Sequence, residues 1–282
     1  MNCSLRSHLP PELTLSVVDI GAAAIDGPAP YAPLVGAQGG HVLGFEPNQQ
    51  ALARLNAQGT PRATWLGDAV GNGTPGVLKL CRIPGMSSLL EPDMDILQHF
   101  HGFPQWAEVI ERVPMETRAL DAVPEAAAMD YLKIDVQGGE LGVLKGAVET
   151  LKQALVVQLE VQFVPFYKDQ PLFGDLDAAL REAGFYLHTF MPIHTRILKP
   201  LVIQGDPYAG LHQALWSDAV YVRRFTDFPT MKSADLMKIA WLAHDLYQSY
   251  DLAAMALKVI DEREGTQRQA AYLTQLTAKK AA

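Results

Sequence analysis

The stretch MDYLKIDVQGGE (residues 129–140) puts two charged side chains, Lys133 and Asp135, in and at the end of an otherwise apolar strand. Charges in such a strand are rarely buried without a partner or a task. Two earlier segments repeat the pattern of an acid at the C-terminal end of an apolar run. They are LSVVDIGA (15–22), with Asp19, and HVLGFEPN (41–48), with Glu46. In an open parallel α/β sheet, ligands bind at that edge, so Asp19, Glu46 and Asp135 are expected to line one crevice.

Working outward, short apolar runs alternate with helical patterns, which implies an α/β fold with right-handed crossovers and a mostly parallel sheet. Asn48 reads as the N-cap of a helix reaching Gln58, and a further helix is expected near 30–37. ATWLG leads to Asp68, and GVLKLC (76–81) is strand-like. Leu141, Leu144, Ala147, Val148 and Leu151 fall on one helical stripe after the 129–140 segment. ALVVQLEVQF (154–163) alternates apolar residues with Gln158, Glu160 and Gln162, so one face of that strand should meet a polar site. FYLHTF (185–190) and SDAVYVRRF (217–225) read as closing strands, the last of them antiparallel. Residues 82–116, rich in Pro, Gly and aromatics, break the rhythm and read as a lid-like insertion over the crevice. The expected division is a domain over 1–226 and a helical C-terminal extension over 227–282, packed on the domain or on a second subunit as a homodimer contact.

The net charge of −8 argues against a nucleic-acid partner. No run reaches the ~18 apolar residues of a membrane helix, and the N-terminus carries no apolar signal core. The two cysteines, Cys3 and Cys81, match no metal spacing and read as free thiols of a cytoplasmic protein.

The turn DIGAAAIDG allows close backbone approach at Gly21. Counted from Gly21, however, the later glycine positions of a dinucleotide fingerprint hold Ala23 and Asp26. An acid there opposes a pyrophosphate and tolerates a positively charged ligand. Glu46 stands at the spacing of a bidentate acceptor for a ribose diol, and Asp68 could accept from an adenine amino group.

These residues carry a resemblance. VVDIGA, GFEPN, AVGN, LDAV, YLKIDVQGGELGVLKGA and LEVQF together resemble the FkbM-type family of S-adenosylmethionine-dependent methyltransferases, over roughly residues 15–225. The resemblance implies a class I methyltransferase (Rossmann-like) seven-stranded sheet with helices on both faces. It also implies O-methylation of a hydroxyl on a sugar, polysaccharide or natural product. It implies that Asp19, Gly21 and Ala22 hold the methionine and ribose side of the donor. Glu46, with Pro47 and Asn48, would hold the ribose hydroxyls, and Asp68 and Ala69 would lie near the adenine. Asp135 would face the methionine part and the acceptor. Ser87 and Ser88 match a serine-containing segment before the acceptor site. The AAAIDG turn departs from the Asn-containing glycine turn more usual in the family.

A hydroxyl acceptor calls for a base or a metal. Glu160 is the first candidate base, with His194 the chosen histidine among His188, His194 and His212. A carboxylate–histidine site could hold Mg²⁺, though no spacing demands a metal. Gln137, Phe163 and Tyr167 are the further expected acceptor contacts, the last two from the aromatic segment FVPFYKDQPLF (163–173). The partner is then a small-molecule or glycan acceptor. Two other readings remain open at this point. One is an NAD(P)-dependent oxidoreductase on a similar sheet; the other is a non-catalytic binding protein that recruits partners through its C-terminal helices.

Overall fold

The computed structural model describes residues 4–23, 27–36 and 39–278. Cys3 and the Asp26 position of the first turn lie outside the described residues. In chain order the elements are β1 (Leu15–Ile20), β2 (Gly40–Phe45), α1 (Gln49–Ala57), β3 (Ala63–Leu66), β4 (Ala69–Gly71) and β5 (Gly76–Cys81). Then come α2 (Met94–Leu97), α3 (Phe103–Trp106), β6 (Val109–Met115), β7 (Thr117–Ala119), β8 (Tyr131–Ile134), α4 (Glu140–Lys145), β9 (Val156–Gln162) and α5 (Phe173–Glu182). The chain closes with β10 (Phe185–Phe190), β11 (His194–Thr195), β12 (Ala214–Arg223), α6 (Ser233–Asp245), α7 (Tyr250–Glu264) and α8 (Arg268–Ala278).

The main sheet runs β10–β12–β9–β8–β1–β2–β3, with β11 added to β12. Strands β3, β2, β1, β8 and β9 pair in parallel, and β12 is antiparallel to β9 and β10. The chain leaves β1 toward one edge, through β2 and β3, and later returns to β8 on the other side of β1. The switch point therefore lies between β1 and β8, where the first turn and the 135–140 turn meet.

Strands buried on both faces need two covering layers. On one face Val18, Ile20, Leu132, Ile134, Leu159 and Val161 pack with Val143 and Leu144 of α4 and Leu176 and Leu180 of α5. On the other, Leu15, Val17, Tyr131 and Val156 pack with Leu236, Ile239, Ala240 and Trp241 of α6 and with Ala253, Ala256 and Leu257 of α7. The segment 227–278 is thus a covering layer of the sheet rather than an appendage. Among the described residues of 30–36, a 3₁₀ turn, Ala32–Leu34, stands where the sequence predicts a helix. Pro28, Pro30 and Pro33 leave too few N–H donors for a longer helix.

A second correction concerns the stripe 141–151. Helix α4 stops at Lys145, because Gly146 abuts β4 so closely that a Cβ would stand 2.1 Å from the Gly71 carbonyl oxygen. Val148 is exposed and Leu151 belongs to a separate 3₁₀ turn. By contrast, Asn48 caps α1 as expected, accepting from the Gln50 and Ala51 amides.

Strands β5 and β6 form an antiparallel hairpin outside the main sheet, so the insertion narrows to the 82–108 loop of that hairpin. Its Leu97, Phe100 and Phe103 build a third core with Phe166, Tyr167 and Leu215. Among the described residues no helix is long and apolar enough to cross a membrane.

Candidate functional site

The β-ladder register sets a polar stripe on the sheet face that α6 and α7 cover only in part. Asp19, Lys133 and Gln158 stand side by side on β1, β8 and β9. One pleat further toward the strand ends come Asp135 and Glu160, with Asp218 of β12 directly across from Glu160.

At the switch point the two strand ends nearly touch. Gly21 has φ +79°, and a Cβ on it would stand 1.9 Å from the Asp135 carbonyl oxygen. Only glycine meets both conditions. The Gly21 and Ala22 amides donate to the Phe45 carbonyl, at 3.1 and 3.0 Å, which ties the first turn to the end of β2. Glu46 is 7% exposed; its carboxylate accepts from the Ala23 amide at 3.0 Å and the Asn48 amide at 2.8 Å. Burial pushes its pKa up, and those two amides hold it back. Each oxygen accepts one such bond, and a carboxylate offers about four lone-pair sites, so acceptor capacity remains for a diol.

Asp19 is only 1% exposed. It accepts from the Tyr31 hydroxyl at 2.5 Å and lies 3.3 Å from Lys133 Nζ. Burial raises its pKa against the pull of Lys133 and Tyr31. Burial pulls the Lys133 pKa down, but Asp19 and Asp135 outweigh it and hold the ammonium protonated above the ordinary lysine range. Lys133 Nζ also donates to the Gly21 carbonyl at 2.9 Å and lies 3.7 Å from Asp135.

The Asp135 side chain is 39% exposed, the most open of this acid set. Gln137, at φ +54°, turns its amide nitrogen to Asp135 Oδ1 at 2.7 Å and to Glu160 Oε2 at 3.1 Å. Gln162 donates to the same Glu160 oxygen at 2.6 Å. Burial raises the Glu160 pKa well above the ordinary range, and the charges of Asp135, Glu140 and Asp218 raise it further. Glu140 accepts from the Val136 and Gly138 amides at 3.0 and 3.1 Å, and burial pushes it up to about 7. Two acids facing each other across a ladder repel, so a proton held by one of them relieves the pair.

The chain matches the family described as "Methyltransferase FkbM domain" over residues 19–187. It belongs to the FkbM methyltransferase family. Solved structures with a similar outline are a methyltransferase FkbM from Methylobacillus flagellatus KT and magnesium protoporphyrin IX methyltransferase from Synechocystis PCC 6803 with bound SAM. The first is 17% identical with a TM-score of 0.39, covering 74% of this chain and 43% of its own. The second is 12% identical with a TM-score of 0.39, covering 74% and 70%. The CurJ carbon methyltransferase is 11% identical at a TM-score of 0.39, covering 77% of this chain and 50% of its own. The chain thus spans half or less of the length of the first and third of these structures. No curated protein matches it.

Within this FkbM-family chain, the expected residues divide into two groups. Asp19, Gly21, Glu46, Asp135, Gln137 and Glu160 meet at one edge. Pro47 is half-buried at the same corner, and the exposed Asn48 is engaged as the α1 cap. Asp68 is half-buried and faces Arg118 at 3.8 Å, while Ala69 is buried in β4. The serine hydroxyls are engaged within the insertion: Ser87 accepts from the Cys81 amide at 3.0 Å, and Ser88 donates to the Gln137 carbonyl at 2.6 Å. Ser88 therefore pins the insertion to the 135–140 turn. Tyr167 is fully buried beneath it, donating to the Met86 carbonyl at 3.1 Å.

Phe163 is not brought to the acids. It alternates away from Glu160 and packs on Phe173 and Phe190 on the other face. His194 is exposed and stacks on Trp216, ring centroids 4.7 Å apart. His188 bonds Ser249 at 2.6 Å, and burial lowers its pKa. Among the described residues no group of three or more His, Cys, Asp or Glu could hold a metal ion, and the site's acids bond Lys133 and glutamine amides instead. Tyr31 and Asp218 were not singled out from sequence. Nothing local marks Tyr31, whereas Asp218 carried a signal, an acid inside the run SDAVYV.

Proposed function

We propose that this chain is an S-adenosylmethionine-dependent O-methyltransferase acting on a hydroxyl of a sugar, polysaccharide or natural product. The observation that carries the reading is the pairing of an open carboxylate, Asp135, with a partly shielded one, Glu160, across the Gln137 amide. The donor carries an ammonium group, a sulfonium and a ribose diol. An acid-lined crevice whose lysine, Lys133, is already paired with Asp19 and Asp135 suits that chemistry better than a pyrophosphate. The bound donor would supply the methyl group from its sulfonium, with the neutral thioether as leaving group.

In this reading Asp135 anchors the ammonium group and Glu46 accepts from the diol. Glu160 takes the acceptor's hydroxyl proton. Its raised pKa makes its carboxylate form a stronger base than a solvated glutamate. Gln137 and Gln162 hold its Oε2 in place. The insertion, pinned by Ser88, excludes water and aligns the acceptor with the donor.

The test is Glu160→Gln, followed by methyl transfer to a panel of glycans and hydroxylated natural products, with donor affinity measured in parallel. A fall of about 10²-fold or more in turnover at nearly unchanged donor affinity supports the base. Equal losses in both would assign Glu160 a structural role.

A further inference from the structure

Asp218 and Tyr247 both lie beyond residues 19–187, yet both belong to the polar stripe. Tyr247 sits in the connection between α6 and α7. Its hydroxyl is 2.8 Å from Gln158 Oε1 and 3.2 Å from the Tyr131 hydroxyl. Tyr131, fully buried, donates to the same Gln158 oxygen at 2.8 Å. The other end of that amide, Nε2, donates to Asp218 Oδ2 at 2.6 Å.

A buried glutamine can present either end of its amide to a given neighbour. Here two hydroxyls, able to donate or accept, converge on one end and the Asp218 carboxylate, which accepts, lies at the other, so the oxygen faces the hydroxyls. The nitrogen must then face Asp218, where it stabilises the carboxylate. Asp218 stands across the ladder from Glu160, at a Cβ separation of about 4.5–5.5 Å for such pairs.

The geometry points to Tyr247 as a positioning residue of the site: with Tyr131 it locks Gln158, Gln158 holds Asp218, and the α6–α7 layer thereby becomes part of the acid cluster. The chain of contacts stands whatever the chemistry. Its effect on turnover rests on the role proposed for Glu160.

The groups that face Asp218 are Gln158 and Glu160 of β9, Tyr131 and Lys133 of β8, Asp135, His194 and Tyr247. Burial raises the Asp218 pKa, and the Gln158 amide opposes that rise first among its neighbours. Releasing the amide therefore moves the Asp218 titration to higher pH.

The experiment is a ¹³C-carboxyl NMR titration of the full chain, with Asp218 assigned through Asp218→Asn. Tyr247→Phe should raise the Asp218 midpoint by about half a pH unit or more. Tyr272→Phe, which removes a hydroxyl of the same helical layer bonded to His244 at 2.8 Å, should leave it in place. On a Gln158→Met background, Tyr247→Phe should add no further shift. A Tyr247→Phe protein that melts lower but keeps the Asp218 midpoint would overturn the assignment, as would a full shift on the Gln158→Met background. The titration uses neither donor nor acceptor. A chain that fails to bind the donor would thus sink the methyltransferase reading and leave this one standing.

Discussion

Replacing Lys133 by methionine keeps the aliphatic stem and removes the charge. Asp19 then sits 1% exposed with the Tyr31 hydroxyl as its remaining side-chain donor. At 3.3 Å and an effective dielectric of about 20, the lost attraction is about 5 kcal/mol. Removing one partner of a buried pair costs about 3–5 kcal/mol in practice, and we expect that range at pH 8. Asp135, more than a third exposed, adds little because water screens it. The deficit must depend on pH. Burial already places the folded pKa of Asp19 above its unfolded value. An acid with a raised folded pKa loses stability as pH rises from about 3.9 through that raised value. Without Lys133 the folded pKa climbs further, so the loss extends to higher pH, and acid relieves it. Urea unfolding at pH 5 and pH 8 measures both. The double variant Asp19→Asn/Lys133→Met should recover most of the loss. A cost below about 1 kcal/mol at pH 8, or a deficit that grows at pH 5, would refute the idea that Lys133 compensates a buried carboxylate.

Gly21→Ala should destabilise the chain by about 3 kcal/mol or more, since the left-handed φ adds about 1–2 kcal/mol to the clash with the Asp135 carbonyl, and a thermal melt reads it. Trp241→Ala should cost about 3–5 kcal/mol by urea unfolding, because this fully buried ring belongs to the core that α6 shares with the sheet. An independent extension would tolerate it. Glu140, raised to about 7, makes stability fall as pH rises from about 4.5 to about 7, by about 2–3 kcal/mol. Glu140→Gln should flatten that part of a pH–stability curve.

The sheet and its acid edge were legible because they rest on local signals. Apolar runs ending in Asp19, Glu46 and Asp135 name the strands and their C-terminal ends without reference to anything distant. The Asn48 cap is local in the same sense. Among the described residues, the expected 30–37 helix is reduced to a 3₁₀ turn because Pro28, Pro30 and Pro33 remove N–H donors. The 141–151 helix failed because its terminator, Gly146, is set by contact with Gly71, far away in sequence. Periodicity showed that α6 and α7 have an apolar stripe, but not that the stripe covers one face of the sheet. At the site, the acids could be read but not their partners. Tyr31 to Asp19 and Tyr247 to Gln158 are bonds across 12 and 89 residues that no spacing rule contains. Phe163 was misplaced because an aromatic-rich segment does not reveal which pleat face carries each ring.

Calorimetric titration of the full chain with S-adenosylmethionine tests the central claim most directly. Saturable one-site binding is expected, abolished by Asp135→Ala and weakened by Glu46→Gln with the melting temperature held. No binding heat at millimolar donor, or undiminished affinity in Asp135→Ala, would contradict it.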